Sequence, residues 1–175
     1  MDCTAIILSS WDAKHLGVEG VVGMPRSKTV ARLYKAVEIG IAGVKMTLLR
    51  LEKELEFDAA EVIDVVSDFH ERYSKTPGYV VEVVKYNSRG EEVESSGFVT
   101  LDGLVLFPRP ARLVSVRVIE NDIEGMRPVN QLRKATPRER FYVYIGRVDL
   151  PRNVWGIVVE TDRGMRIVTR TALRG

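Results

Sequence analysis

The sequence predicts an α+β fold, with a long N-terminal helical hairpin packed on an antiparallel sheet of six to eight short strands. Three observations lead there. Apolar residues recur every seven positions from Val30 onward, a second helical pattern follows over residues 58–74, and short Val-rich runs separated by turn signals fill the rest.

The elements follow in chain order. Residues 5–10 (AIILSS) read as a first strand, and a loop with Gly17, Gly20 and Gly23 leads to Pro25 and to Ser27 as a helix N-cap. Val30, Val37, Val44 and Leu51 repeat in heptads, with Tyr34, Ile41, Leu48 and Leu55 four residues after each. That is an a/d seam, and the apolar or small neighbours Leu33, Ala36, Ile39, Gly40, Gly43, Met46 and Leu49 widen it. Gly40 and Gly43 each cost a helix about 1 kcal/mol relative to Ala, which a close backbone neighbour would offset. Asp58 and Glu61 form a capping-box-like start for a second helix to Ser74, whose apolar face is Val62, Val65, Val66, Phe69 and Tyr73. The two helices join near Phe57.

Thr76-Pro77-Gly78 ends the helical region. Tyr79–Tyr86 reads as a strand, and Phe98–Leu101 and Leu104–Phe107 as a hairpin across Asp102-Gly103. Arg112–Glu120 continues the sheet. Residues 121–139 show no strand pattern, only a short helical run at Val129–Lys134. Phe141–Leu150 reads as one strand, and Val154–Thr161 pairs with Met165–Thr171 across Asp162-Arg163-Gly164. A length of 175 residues, 45% of them hydrophobic, suits one domain, with 121–139 as the place for a sub-boundary.

A single cysteine, Cys3, leaves no internal disulfide, and the acid in MDCTAIILSSWD is unlike a signal peptide. The most apolar stretch, Ile39–Leu51, is interrupted by Lys45 and Arg50 and is too short to cross a bilayer. The expectation is a cytoplasmic protein with no membrane partner. Gln occurs once and Asn four times amid many charges, a thermophile-like composition.

The near-neutral total of +2 conceals a split: residues 1–103 carry 12 Lys+Arg against 17 Asp+Glu, whereas residues 104–175 carry 14 against 7. Thirteen of the latter 14 bases are Arg, the side chain suited to forked contacts with phosphate or carboxylate. Arg127, Arg133, Lys134, Arg138 and Arg140 crowd the segment before the aromatic run Phe141, Tyr142 and Tyr144. Arg163 lies in the last turn, and Arg166 and Arg170 share one face of the last strand. Basic groups beside aromatics suit phosphates with bases stacking nearby.

Other signals carry less chemistry. Lys28-Thr29 before the first helix resembles a phosphate loop, but its two required glycines are replaced by Val22 and Ser27. A helix N-terminus beside Arg26 and Lys28 still suits an anion. One cysteine with His15 and His70 gives no Cys/His metal spacing, and Glu61, Asp64, Asp68 and Glu71 read as the solvated face of the second helix. Trp155, alternating with Ile157 and Val159, reads as core, and Trp11 as a packing or lid residue.

The leading expectation is therefore a non-enzymatic protein that contacts nucleic acid or a nucleoprotein assembly, or an acidic protein partner, through its Arg-rich half, with no cofactor. The alternative is an assembly subunit that pairs with a second copy through the helical seam of residues 30–55. A small enzyme with a site assembled across the sequence is the third reading.

Overall fold

The computed structural model describes residues 26–122, 124 and 127–170, and the expectations for residues 5–10, Trp11, His15 and Cys3 fall outside them. Among the described residues there are twelve strands and one helix, so the chain is mainly β and the helical hairpin is overturned. The described residues fall into two compact units, 26–35 with 51–100 and 36–50 with 101–170.

The segment expected to form the first helix is a β-hairpin, β1 (Lys28–Ile41) and β2 (Val44–Asp58). The two strands are joined by Ala42 and Gly43, with φ of 54° and 79°. Two central residues with positive φ make the type I′ turn, whose twist matches that of the flanking strands. Gly43 is there for its conformation rather than for helix packing. The heptad seam is reproduced by strand alternation with one change of phase in each strand. Val44, Met46 and Leu48 are buried on alternate positions, then Leu49 resumes the series that ends at Phe57. Spacings of three, four and seven arise from both patterns, and only long-range pairing decides between them.

Gly43→Ala separates the two geometries by sign. In a helix the change would stabilise by about 1 kcal/mol. In this turn it forces an L-residue into the left-handed region, and its Cβ would lie 2.6 Å from Arg133 Nη2. A destabilisation of about 1–2 kcal/mol is expected in urea unfolding.

In the first unit the strand order is β2-β1-β3-β4, with β3 at Tyr79–Tyr86 and the edge strand β4 at Glu92–Val99. The expected pairing of Phe98–Leu101 with Leu104–Phe107 does not occur: β4 runs antiparallel to β3, with Phe98 opposite Val81. Helix α1 (Val62–Tyr73) is the second helix of the sequence reading, but its N-cap is Glu61, which makes no side-chain capping bond. It covers one face of the sheet, burying Val62, Val65 and Phe69 against Ala31, Leu33, Val81 and Val83. Val30, Tyr34, Val80 and Val84 are buried on the opposite face. A strand buried on both sides explains the nearly unbroken apolar run of Tyr79–Tyr86.

The second unit contains β5 (Leu104–Val105), β6 (Ala111–Asn121), β7 (Pro128–Ala135), β8 (Tyr142–Val143), β9 (Ile145–Gly146), β10 (Val148–Asp149), β11 (Val154–Thr161) and β12 (Gly164–Thr169). Its sheet runs β12-β11-β6-β8-β2, with β7 also on β6 and β10 on β2, while β5 pairs with β9. The single strand expected over Phe141–Leu150 is three two-residue pieces, β8 between β2 and β6, β9 on β5 and β10 on β2. The short helix expected at Val129–Lys134 is the edge strand β7. The core is built from cross-strand rows such as Val118, Ile157 and Val168, which stand opposite one another on β6, β11 and β12. A register shift between Val154 and Gly156 displaces Trp155, which is half-buried, while Val154 enters the core.

The seam residues are consumed inside the chain. Val30, Tyr34, Ile41, Val44 and Leu48 are buried, and Val37 and Leu55 pack against the two cores. No helical seam is left for a second subunit along residues 30–55.

Candidate functional site

The eight bases singled out in the Arg-rich half separate into two groups. Arg133, Arg166 and Arg170 act within the second unit. From β7, Arg133 reaches back to the hairpin turn, where Nε and Nη2 donate to the Ala42 carbonyl at 3.1 and 2.7 Å. This satisfies a carbonyl at the tip of a tight turn. Arg166 lies on the face of β12 that carries Val168 into the core, and Arg170 follows directly after the strand. The Arg166 guanidinium lies 5.0 Å from the centre of the Phe107 ring, a cation–π contact. Arg170 donates through Nε to the Val154 carbonyl at 3.0 Å and through Nη2 to that of Pro151. The outward face of the same strand carries Met165 and Ile167, both exposed.

Arg127, Lys134, Arg138, Arg140 and Arg163 form the other group. All five are exposed, and among the described residues none of their side chains has an ion-pair partner. The backbone brings three of them to one end of the unit. Arg112, at the start of β6, stands opposite Tyr142, two residues beyond Arg140. Its N–H donates to Asp162 Oδ1 at 2.8 Å, and its carbonyl accepts from the Asp162 N–H at 3.0 Å. Leu113 N–H donates to the Phe141 carbonyl at 2.9 Å. Arg140, Arg112 and Arg163 thus flank a single knot of backbone hydrogen bonds, with Arg138 two residues away. Glu139, the one acid between Arg127 and Arg140, pairs with Arg50 at 3.2 Å.

Lys134 lies further along the same strands, directly opposite Arg117. Like charges across an antiparallel pair repel. Arg117 is eased by Glu160 at 3.8 Å, which also accepts from Ser115 Oγ at 2.8 Å. From Arg117 to Arg112 is about 17 Å of strand at ~3.3 Å per residue. The basic track therefore runs along β6 and the segments beside it. Arg127 is not on it, since it closes the β6–β7 turn at the far end, where its carbonyl accepts from Asp122 N–H at 2.9 Å.

Arg112 and Arg117 escape a search for basic clusters in the sequence because they are isolated within the apolar strand Ala111–Asn121. Their alternation with Leu113 and Val116 is the available signal. Of the aromatics, Phe141 is 4% exposed and belongs to the core, so it cannot stack on a base. Arg50 lies over its ring at 5.7 Å.

The helix N-terminus expected beside Arg26 and Lys28 does not form, because β1 begins there. Arg26 pairs with Asp58 at 3.7 Å and Lys28 with Glu56 at 3.1 Å. On α1, Glu61 pairs with Lys85 at 3.4 Å, and the His70 ring meets Phe98 edge-on at 5.0 Å. Among the described residues, no three His, Cys, Asp or Glu side chains gather as a metal site.

A partly buried ionic group lies in the first unit. Arg32 and Glu82 face each other across β1 and β3, with Arg32 Nε on Glu54 at 2.6 Å, Nη1 on Glu82 at 3.5 Å, and the Tyr34 hydroxyl donating to Glu82 at 3.4 Å. Burial alone would lower the pKa of Arg32. The hydrogen bond to Glu54 and the neighbouring Tyr86 and Tyr34 outweigh it and hold the guanidinium above its ordinary value. The Arg32 guanidinium thus stays charged, and the strands themselves account for its partners.

No protein-family model, curated protein or solved structure matches the chain. No helix among the described residues is long and apolar enough to cross a membrane.

Proposed function

We propose that the protein is a non-enzymatic nucleic-acid-binding protein that holds the phosphate backbone along the basic track of its second unit. The supporting observation is the convergence of exposed Arg112, Arg138, Arg140 and Arg163 at one end of β6, where Glu139 is paired with Arg50 and Asp162 accepts from the Arg112 N–H. Lys134 beside Arg117 extends the track, and a phosphate between them would relieve their repulsion. Guanidinium groups suit this role because their planar fork matches two phosphate oxygens.

With Phe141 in the core, the reading rests on backbone contacts rather than on a platform of stacked bases, so affinity should vary little with sequence. The test is a fluorescence-anisotropy titration against labelled single-stranded RNA, single-stranded DNA and duplex at low and moderate salt. Binding that weakens steeply with salt is expected, and the order of the three names the substrate class. Absence of binding to all three at low salt would remove the reading.

A further inference from the structure

Two edge strands in this chain carry charges of opposite sign. The strand β4 pairs only with β3 among the described residues, and it is flanked and opened by Glu91, Glu92 and Glu94. Among the described residues the strand β7 pairs only with β6, and it carries Arg133 and Lys134 near its C-terminal end. Both are eight residues long and mostly exposed, and both are bulged, β4 at Val93 and β7 at Val129 and Leu132, which leaves Glu94–Val99 and Asn130–Ala135 as the stretches that can pair. Both also present apolar side chains to solvent, Val93 on β4 and Val129 and Leu132 on β7.

Charges on an edge strand usually block edge-to-edge association. Here they block like with like, because two copies of β4 would bring carboxylates together and two copies of β7 would bring cations together. They do not block β4 against β7. We propose that copies of this protein associate head to tail, β4 of one pairing antiparallel with β7 of the next. The direction follows from the charge layout. The acids occupy the N-terminal half of β4 and the bases the C-terminal half of β7, so only antiparallel pairing brings the two together. It also sets Ser95 and Ser96 toward the polar Asn130 and Gln131. Backbone hydrogen bonds supply the affinity, as in other strand additions, and the charges supply the choice of partner. Because the two surfaces differ, the contact is heterologous and can propagate beyond a dimer.

This reading is independent of nucleic-acid binding, and its test is run without nucleic acid. An interface of one strand pair is small, so association is expected at roughly 10–500 µM protein at low salt. Sedimentation equilibrium should show an average mass that rises with concentration over that range and falls on adding salt. Glu92→Lys with Glu94→Lys makes both edges basic, and Gln131→Glu with Lys134→Glu outweighs Arg133 and makes the β7 edge acidic. Each variant alone should remain monomeric, with its fold checked by circular dichroism. Mixing the two should restore association, since each then offers an edge opposite in sign to one on the other. A wild-type protein that stays monomeric throughout, or variants that associate as the wild type does, would overturn the proposal. So would a mixture of folded variants that stays monomeric.

Discussion

Phe69→Ala is expected to destabilise the protein by about 3–5 kcal/mol, the usual cost of emptying an aromatic site in a packed core. Phe69 is 1% exposed and sits on the inner face of α1, in one apolar cluster with Ala31, Leu33, Val81 and Val83. Its ring stacks on Tyr73, 6.0 Å away with 22° between the planes. The cluster is small and rests on a single helix, so little else can collapse into the space. Ile63, on the same helix but 71% exposed, is the control, and Ile63→Ala should change stability by no more than about 0.5 kcal/mol. Urea unfolding of the two variants checks both. Equal effects would mean that α1 does not present the Phe69 face to the sheet.

Replacing Arg138, Arg140 and Arg163 together with Ala is expected to weaken nucleic-acid binding by roughly 10- to 1,000-fold at low salt, uniformly across sequences. All three side chains are exposed, and no hydrogen bond or ion pair among the described residues depends on them, so the folded state should be left intact. The choice of residues matters. Arg133, an equally attractive base in the sequence, holds the Ala42 carbonyl, and its loss would mix a structural effect with a binding one. An unchanged affinity in the folded triple variant would exclude this end of the unit as the site.

The later strands were legible in the sequence because they bury side chains in a pattern that local composition displays. Tyr79–Tyr86, Ala111–Asn121 and the β11–β12 hairpin all appear close to where their Val-rich runs lie. The β1–β2 hairpin was not legible. Its buried positions shift phase between Leu48 and Leu49, and the result imitates a heptad repeat. Its turn, Ala42-Gly43, lacks the Asn-Gly or Asp-Gly pair that would announce it. The strand β7 was missed for the opposite reason: as an exposed edge strand it has no buried face, so Pro128–Ala135 shows no alternation to read.

The same limit governs the site. Nothing local distinguishes Arg133 from Arg138, since the difference is a carbonyl 91 residues away. Arg166 lies on the last strand, whereas Arg170 falls one residue past its end. Whether the face of Arg166 or the one bearing Met165 and Ile167 turned inward depended on Val168 meeting Ile157 across the sheet. Periodicity gives the face, and the neighbouring strand gives its direction.

The most direct test of the phosphate-binding account is the slope of log affinity against log salt, measured for the wild type and for the Arg138, Arg140 and Arg163 triple variant on the same oligonucleotide. If each arginine neutralises a phosphate, the magnitude of the slope should fall by about 2.7 on duplex or about 2 on a single strand. Equal slopes for the two proteins would contradict the account, because the three guanidinium groups would then displace no counterions.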